Sequence, residues 1–467
     1  MGNATEAIVH GWKAGANNRG TGDILWSCGL TVLLCCWVSV YPNVGSRFDK
    51  WYHPLIDKLN LACIALLGPD FLFGIALGQW SKARESVKQF KEDPPARYIQ
   101  KWKYEDAFFV NAGGIHLKSL EFPRGFPIDA QQLHYLLKHD LIEPLDLESM
   151  DISERNSVDS LSRVITILQT FWFFAGIVQR ACTGLSMTTL ELTTASFAFI
   201  MFATSAAWYR KPCITKPRFI STKDGRTVQS IREYSQAHTH SILPPQWYRT
   251  PLEYLSQEYF GINLHWKYYT RLASVLHIRV FSRPVKCRPW DRYPSDTWMC
   301  PTLQWTFPAL CVMVFFSILF IAGWDFYFPT YTEKVMWRVC SVYHASFSLY
   351  GAAYYWIEML RSRKRRLQSH SRQHMNPTEE NSHSSLEKCI FKTFPIVPNF
   401  LKKWHSTLPI QDPEAKIPLR VLLPITITCA IYAICRIYIY IEDFISLREQ
   451  PSNVYISTDL LVWVFGS

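Results

Sequence analysis

The sequence predicts an all-α, polytopic integral-membrane helical bundle of about seven transmembrane helices, with its N-terminus in the cytoplasm. Three observations carry that expectation. Seven apolar stretches, 23–41, 59–79, 164–181, 189–208, 303–323, 336–359 and 419–441, approach or exceed the length needed to cross a bilayer, which is about 20 residues. The loops between them alternate in positive charge: 80–163, 209–302 and 360–416 hold 12, 15 and 11 Lys/Arg, against three, none and one in 42–58, 182–188 and 324–335. Lys and Arg near span ends mark the cytoplasmic side. Finally, Trp51, Tyr52, Trp80, Trp208, Tyr209, Trp324 and Tyr327 fall at span ends, as an interfacial aromatic belt requires.

In chain order, 1–80 holds the first two spans and 81–160 a cytosolic amphipathic segment in which 106–117 could re-enter the membrane. Spans three and four occupy 161–210, and 211–302 is a cytosolic or interfacial loop rich in proline. Spans five and six occupy 303–360, followed by a basic, partly disordered loop, 361–416, and by span seven with its tail, 417–467. The polar run 366–387 is the most disorder-prone part. The net charge of +11 sits in loops beside the membrane, so anionic lipid rather than nucleic acid is its expected partner. Thirteen cysteines, many within spans, show neither metal-ligand spacing nor a disulfide framework. Asn3-Ala-Thr5 is a glycosylation sequon that the predicted topology leaves in the cytosol.

Carboxylates within or at the ends of spans are the candidate chemistry. Each costs about 2.5–3.5 kcal/mol at a helix centre unless neutral or paired. Asp70 follows Gly68-Pro69 inside a span, Glu191 enters the fourth, Asp325 ends the fifth and Glu442 ends the seventh. Ion pairing between helices explains any one of them; together with Arg180, Arg338, Arg436 and Arg448 they suggest a lined cavity toward the far face. A carboxyl group in an apolar cavity stays protonated and can serve as a general acid. Aromatic faces such as Trp324, Tyr327, Trp337 and Tyr438, with Arg338 beside them, would bind a substrate and shelter a cation. Acid plus aromatic lining suits cyclisation of a polyprenyl chain, with no metal or organic cofactor. Walker, HExxH and Asp-rich magnesium motifs are all missing from the sequence.

Arg19-Gly-Thr-Gly-Asp-Ile-Leu-Trp-Ser-Cys28 and Leu34-Cys-Cys-Trp37 resemble the opening of a large family of fungal multi-span membrane proteins. The resemblance continues through Phe108-Phe-Val-Asn-Ala-Gly-Gly114, Leu190-Glu-Leu192, Trp208-Tyr-Arg-Lys-Pro212, Phe328 to Arg338, and Arg436 to Arg448. It implies similarity to integral-membrane terpene cyclases of fungal meroterpenoid pathways, of the macrophorin and ascofuranone kind. The implied substrate is a lipophilic prenylated intermediate, and the implied location is the endoplasmic reticulum membrane. Matched positions are Asp23, Glu191, Glu333, Arg338 and Glu442; Asp70 stands where the family would show Glu, and the tail departs after Trp463. Asp70 and Asp325 are therefore candidates by chemistry and position alone. A transporter, or a sensor without catalytic activity, is the rival expectation.

Overall fold

The computed structural model describes residues 7–15, 19–95, 102–143, 156–214, 216–239, 247–256, 283, 285, 287–294, 303–372 and 419–457. The sequon, most of 366–387, much of the 211–302 loop and the end of the tail lie outside the described residues.

The chain is mostly helical. A short strand β1 (Ile8–His10) precedes α1 (Thr21–Val38), α2 (His53–Leu67) and α3 (Pro69–Glu92). Then come α4 (Tyr104–Asn111), β2 (Ile115–Lys118), β3 (Phe126–Ile128) and α5 (Ala130–Lys138). Two long helices follow, α6 (Asn156–Cys182) and α7 (Thr189–Ala207), before β4 (Arg218–Ser221) and α8 (Val228–Thr239). The last third is α9 (Leu303–Ile318), α10 (Tyr331–Arg372), α11 (Leu419–Ile445) and β5 (Glu449–Pro451).

Among the described residues, five helices are long and apolar enough to cross a membrane: α1, α6, α7, α9 with its 3₁₀ extension to Gly323, and α11. That is five where the sequence predicts seven. The expected span 336–359 lies inside the continuous helix α10, whose 42 residues would reach about 63 Å at 1.5 Å per residue. Its Arg338, His344 and tyrosines make it less apolar than the other five.

The expected span 59–79 is not one helix. Pro69 has no amide hydrogen and forces the residue before it out of the helical region; Gly68 accordingly sits at φ −158°, ψ 80° and divides α2 from α3. The two halves fold back on each other. Asn43, ahead of α2, meets Gln79 of α3 at 3.2 Å, so both open ends of the hairpin lie in one layer. The tip reaches α11, where the Tyr440 hydroxyl donates to the Leu66 carbonyl and that of Tyr432 to Asp70. The reversal of the chain therefore belongs to 53–92, whereas 106–117 forms α4 and β2 among the polar segments.

The polar segments gather at one end. β2 pairs antiparallel with β3 and parallel with β4, so the segments before α6 and after α7 share one sheet. Val44 donates to Ala112 O, Trp80 packs on Trp305, and Phe307 on Trp356, which brings the ends of α1, α3, α7 and α10 and the start of α9 to this basic end.

The opposite end is closed by the two ends of the described chain. β1 pairs antiparallel with β5, with Ile8 opposite Pro451 and His10 opposite Glu449. Arg19 ion-pairs with Glu191, joining the starts of α1 and α7. Ser39 and Ser205 meet at 2.6 Å near their other ends, so α1 and α7 run parallel. The start of α1 and the end of α11 thus share one end of the bundle, opposite the basic loops. This corrects the expected arrangement, which puts 42–58 away from the other basic loops and the two chain ends on opposite sides. The division of 59–79 into α2 and α3 removes one of the seven helices expected to span the bundle.

Candidate functional site

One face of α11 carries polar side chains at helical spacing into the bundle. Tyr432, Arg436 and Asp443 are all buried, as is Ser446 in the 3₁₀ turn that continues the helix, and intervals of three, four and seven residues place them on one stripe. Asp70, at the start of α3 on the hairpin tip, accepts from the Tyr432 hydroxyl at 2.7 Å. Arg436 has no exposed surface, and its Nε and Nη2 donate to the Tyr440 hydroxyl at 3.1 and 2.9 Å. Its guanidinium lies 5.3, 5.0 and 4.8 Å from the ring centres of Phe316, Phe320 and Tyr440, within cation–π range. Farther along, Asp443 accepts from Thr193 at 3.1 Å and Thr189 meets Ser446 at 2.9 Å. His344 of α10 is fully buried between the rings of Phe320 and Tyr432, with neither ring nitrogen hydrogen-bonded among the described residues.

The residues predicted from sequence divide into separate groups. Asp70 belongs to the deep group just described. Glu191 is almost fully buried and closes a capping box on α7: its Oε2 accepts from the backbone and hydroxyl of Thr188, both at 3.0 Å, while Oε1 faces Arg19. That geometry uses the carboxylate to fix a helix start. Glu442 is buried, with Oε2 3.2 Å from the Tyr438 hydroxyl and Oε1 without a partner among the described residues. The same hydroxyl is 3.3 Å from the carbonyl of Glu333, whose carboxylate holds Arg448 at 2.6 Å.

Asp325 stands outside the buried groups. Its side chain is 87% exposed and pairs with Arg338 at 3.2 Å. Arg338 also donates to the Trp324 carbonyl and lies over the Trp324 ring. Trp337 is completely buried against Phe320 and Phe328, and Tyr327 lies beside Glu449. The predicted carboxylates at the closed end therefore have partners of their own, and Asp70 is joined by Arg436, already grouped with the cavity acids, and by two residues not predicted for the site, Tyr432 and His344. The available signal was an arginine inside an apolar span with tyrosines four residues to either side. Among the described residues no three His, Cys, Asp or Glu side chains converge as metal ligands would.

A second polar layer lies just outside the spans at the basic end. Lys211 donates to Tyr41 O at 2.6 Å, Gln79 Oε1 at 2.7 Å and Asn43 Oδ1 at 3.1 Å, and Trp208 donates to Gln79 Oε1 at 3.0 Å. Burial pushes Lys211 down to about 7; against this, the three acceptors engage all three protons of an ammonium group. Arg283 pairs with both Asp49 and Asp57. Burial alone would raise Asp49, but the hydrogen bonds and charge of Arg283 more than offset it, so its carboxyl is held below the usual range.

A family model described as a family of unknown function (DUF8562) matches residues 2–233, from ahead of β1 into α8. The match includes the α2–α3 hairpin, Glu191 and Lys211 and stops short of α9, α10 and α11. No curated protein and no solved structure matches the chain.

Proposed function

We propose that this protein is an integral-membrane terpene cyclase that closes rings on a lipophilic prenylated intermediate. In this reading α1, α6, α7, α9, α10 and α11 cross the endoplasmic reticulum membrane and α2–α3 enters it from the basic, cytosolic end. The observation that carries the catalytic reading is Asp70, lodged at the tip of a re-entrant hairpin and bonded to Tyr432 at 2.7 Å among aromatic rings. Further support comes from the resemblance of the chain to fungal meroterpenoid cyclases.

Asp70 would pass its proton to a terminal alkene carbon or an epoxide oxygen. The π electrons of the neighbouring isoprene unit then form the ring bond. A proton lost from the carbon next to the final cation returns to the carboxylate, so product and substrate are isomers. The Tyr432 hydroxyl, donating to Asp70, stabilises the carboxylate left after transfer, as does the positive charge of Arg436 one turn along α11. The rings of Phe71 and Phe347, which pack on Tyr432 beside Asp70, offer π faces to the cation. No step needs a metal or organic cofactor.

The test is expression in a heterologous fungus fed prenylated phenols or their epoxides, with product analysis. Asp70→Asn should lower product about 10²–10⁴-fold while the protein stays in the membrane. Normal turnover by Asp70→Asn would sink this assignment. Glu191→Gln breaks a capping box and an ion pair, so its activity should fall with the amount of folded protein. A transporter, or a sensor without catalytic activity, is the second reading, favoured by the Arg19–Glu191 pair, which commits one of the predicted acids to holding helix ends together. No product from the native chain with any prenylated substrate would move that reading ahead.

A further inference from the structure

The polar stripe of α11 ends in a group that the proposed reaction does not use. Asp443 has no exposed surface and sits in the last turn of α11, where the partial negative charge of the helix end disfavours a carboxylate. Its Oδ1 accepts from the Thr193 hydroxyl at 3.1 Å, and Thr189, one turn earlier on α7, faces the same carboxylate. The Ser446 hydroxyl meets that of Thr189 at 2.9 Å. All four side chains are buried, and Asp443 Oδ2 has no partner among the described residues. Arg436 stands seven residues back, about 10 Å along the helix, with Nε and Nη2 on Tyr440 and its guanidinium among aromatic rings. Arg19 and Arg448, at this end of the bundle, are held by Glu191 and Glu333.

A buried carboxylate with no opposite charge beside it is costly. A proton on Oδ2 would remove the charge but would itself need an acceptor, and none is in place among the described residues. A cation removes the charge and takes the oxygens as ligands. Carboxylate and neutral oxygen donors suit hard cations, and each hydroxyl can rotate to turn a lone pair toward the ion. One carboxylate balances one positive charge, whereas a divalent ion would leave net charge in the bundle. We propose that Asp443, Thr189, Thr193 and Ser446 form a binding site for a small monovalent cation of the sodium kind, which clamps the start of α7 to the end of α11. The ion takes no part in ring closure, so the site is independent of the catalytic reading.

The full chain, purified in detergent with choline chloride, should unfold at a higher temperature as sodium chloride replaces choline at constant ionic strength. The rise should follow a binding curve, as expected for a ligand of the folded chain alone. Asp443→Asn and Thr193→Val should each weaken the apparent sodium Kd at least about tenfold, the loss that changes beyond a ligand shell already cause. Thr193→Ser, which keeps the hydroxyl, should retain it. Asp325→Asn removes an exposed carboxylate and should respond as the native chain does. A native midpoint indifferent to sodium would overturn the proposal and leave Asp443 holding a proton. A rise that survives both Asp443→Asn and Thr193→Val would put the ion elsewhere and overturn it as well. If Asp443→Asn does not fold, Thr193→Val and Ser446→Ala decide the matter by the same shift in Kd. Asp70→Asn should keep the native sodium response, so the cyclase assignment and the cation site fail or stand separately.

Discussion

Arg436 shows what a single residue demands in this setting. An arginine in an apolar helix must find partners inside the bundle, and here two nitrogens bond Tyr440 while three aromatic rings surround the guanidinium. The need for partners is legible in the sequence; which residues supply them is not, since Phe316 and Phe320 lie more than a hundred residues away. Outside the spans, His116 is buried in β2 with its Nε2 unbonded among the described residues. Burial pushes its imidazole down to about 4. The folded state thus resists a proton that the unfolded chain accepts near 6.5. Stability from this group is complete above about pH 6.5 and drains away as pH falls toward 4, by up to about 3 kcal/mol. Amide exchange of 115–118, corrected for intrinsic rate, should accelerate between pH 7 and 4.5 in the native chain and much less in His116→Leu. Equal acceleration in both would assign the effect to another group.

At the scale of the element, the α2–α3 hairpin is the main departure from a hydropathy reading. Apolarity alone cannot distinguish a helix that crosses from two that meet halfway, because both bury the same side chains in lipid or protein. The 15 residues of α2 span about 22 Å, short of the about 30 Å of hydrocarbon, and Pro69 supplies the break. A proline at 69 implies a break in the helix; that the break reverses the chain follows from Asn43 meeting Gln79, a contact with no local signal. Lys50→Cys and Lys88→Cys, each in a background with reactive native thiols removed, should both label with an impermeant maleimide from the cytosolic side. A single crossing through 59–79 requires opposite sides. One variant labelling from each side would eliminate the hairpin.

For the whole molecule, the expected consequence is that both ends of the described chain lie on one side. Epitopes placed ahead of Ile8 and after Ile456 should be protected from protease in sealed microsomes, and one inserted near His383 should be cleaved. Finding either end epitope cleaved along with the basic loop would contradict the β1–β5 closure. Charge sorting explains why so much of this architecture could be read in advance: lipid penalises buried Lys and Arg so strongly that loop composition records sidedness. Helical class and the basic end both follow from that penalty and from apolar run length, which are properties of the sequence itself. Chain reversal at Gly68, the pairing of β1 with β5, and the assembly of Asp70 with Tyr432, Arg436 and His344 required the tertiary structure. Each depends on contacts between residues distant in sequence, and local composition is nearly the same whichever partner is chosen.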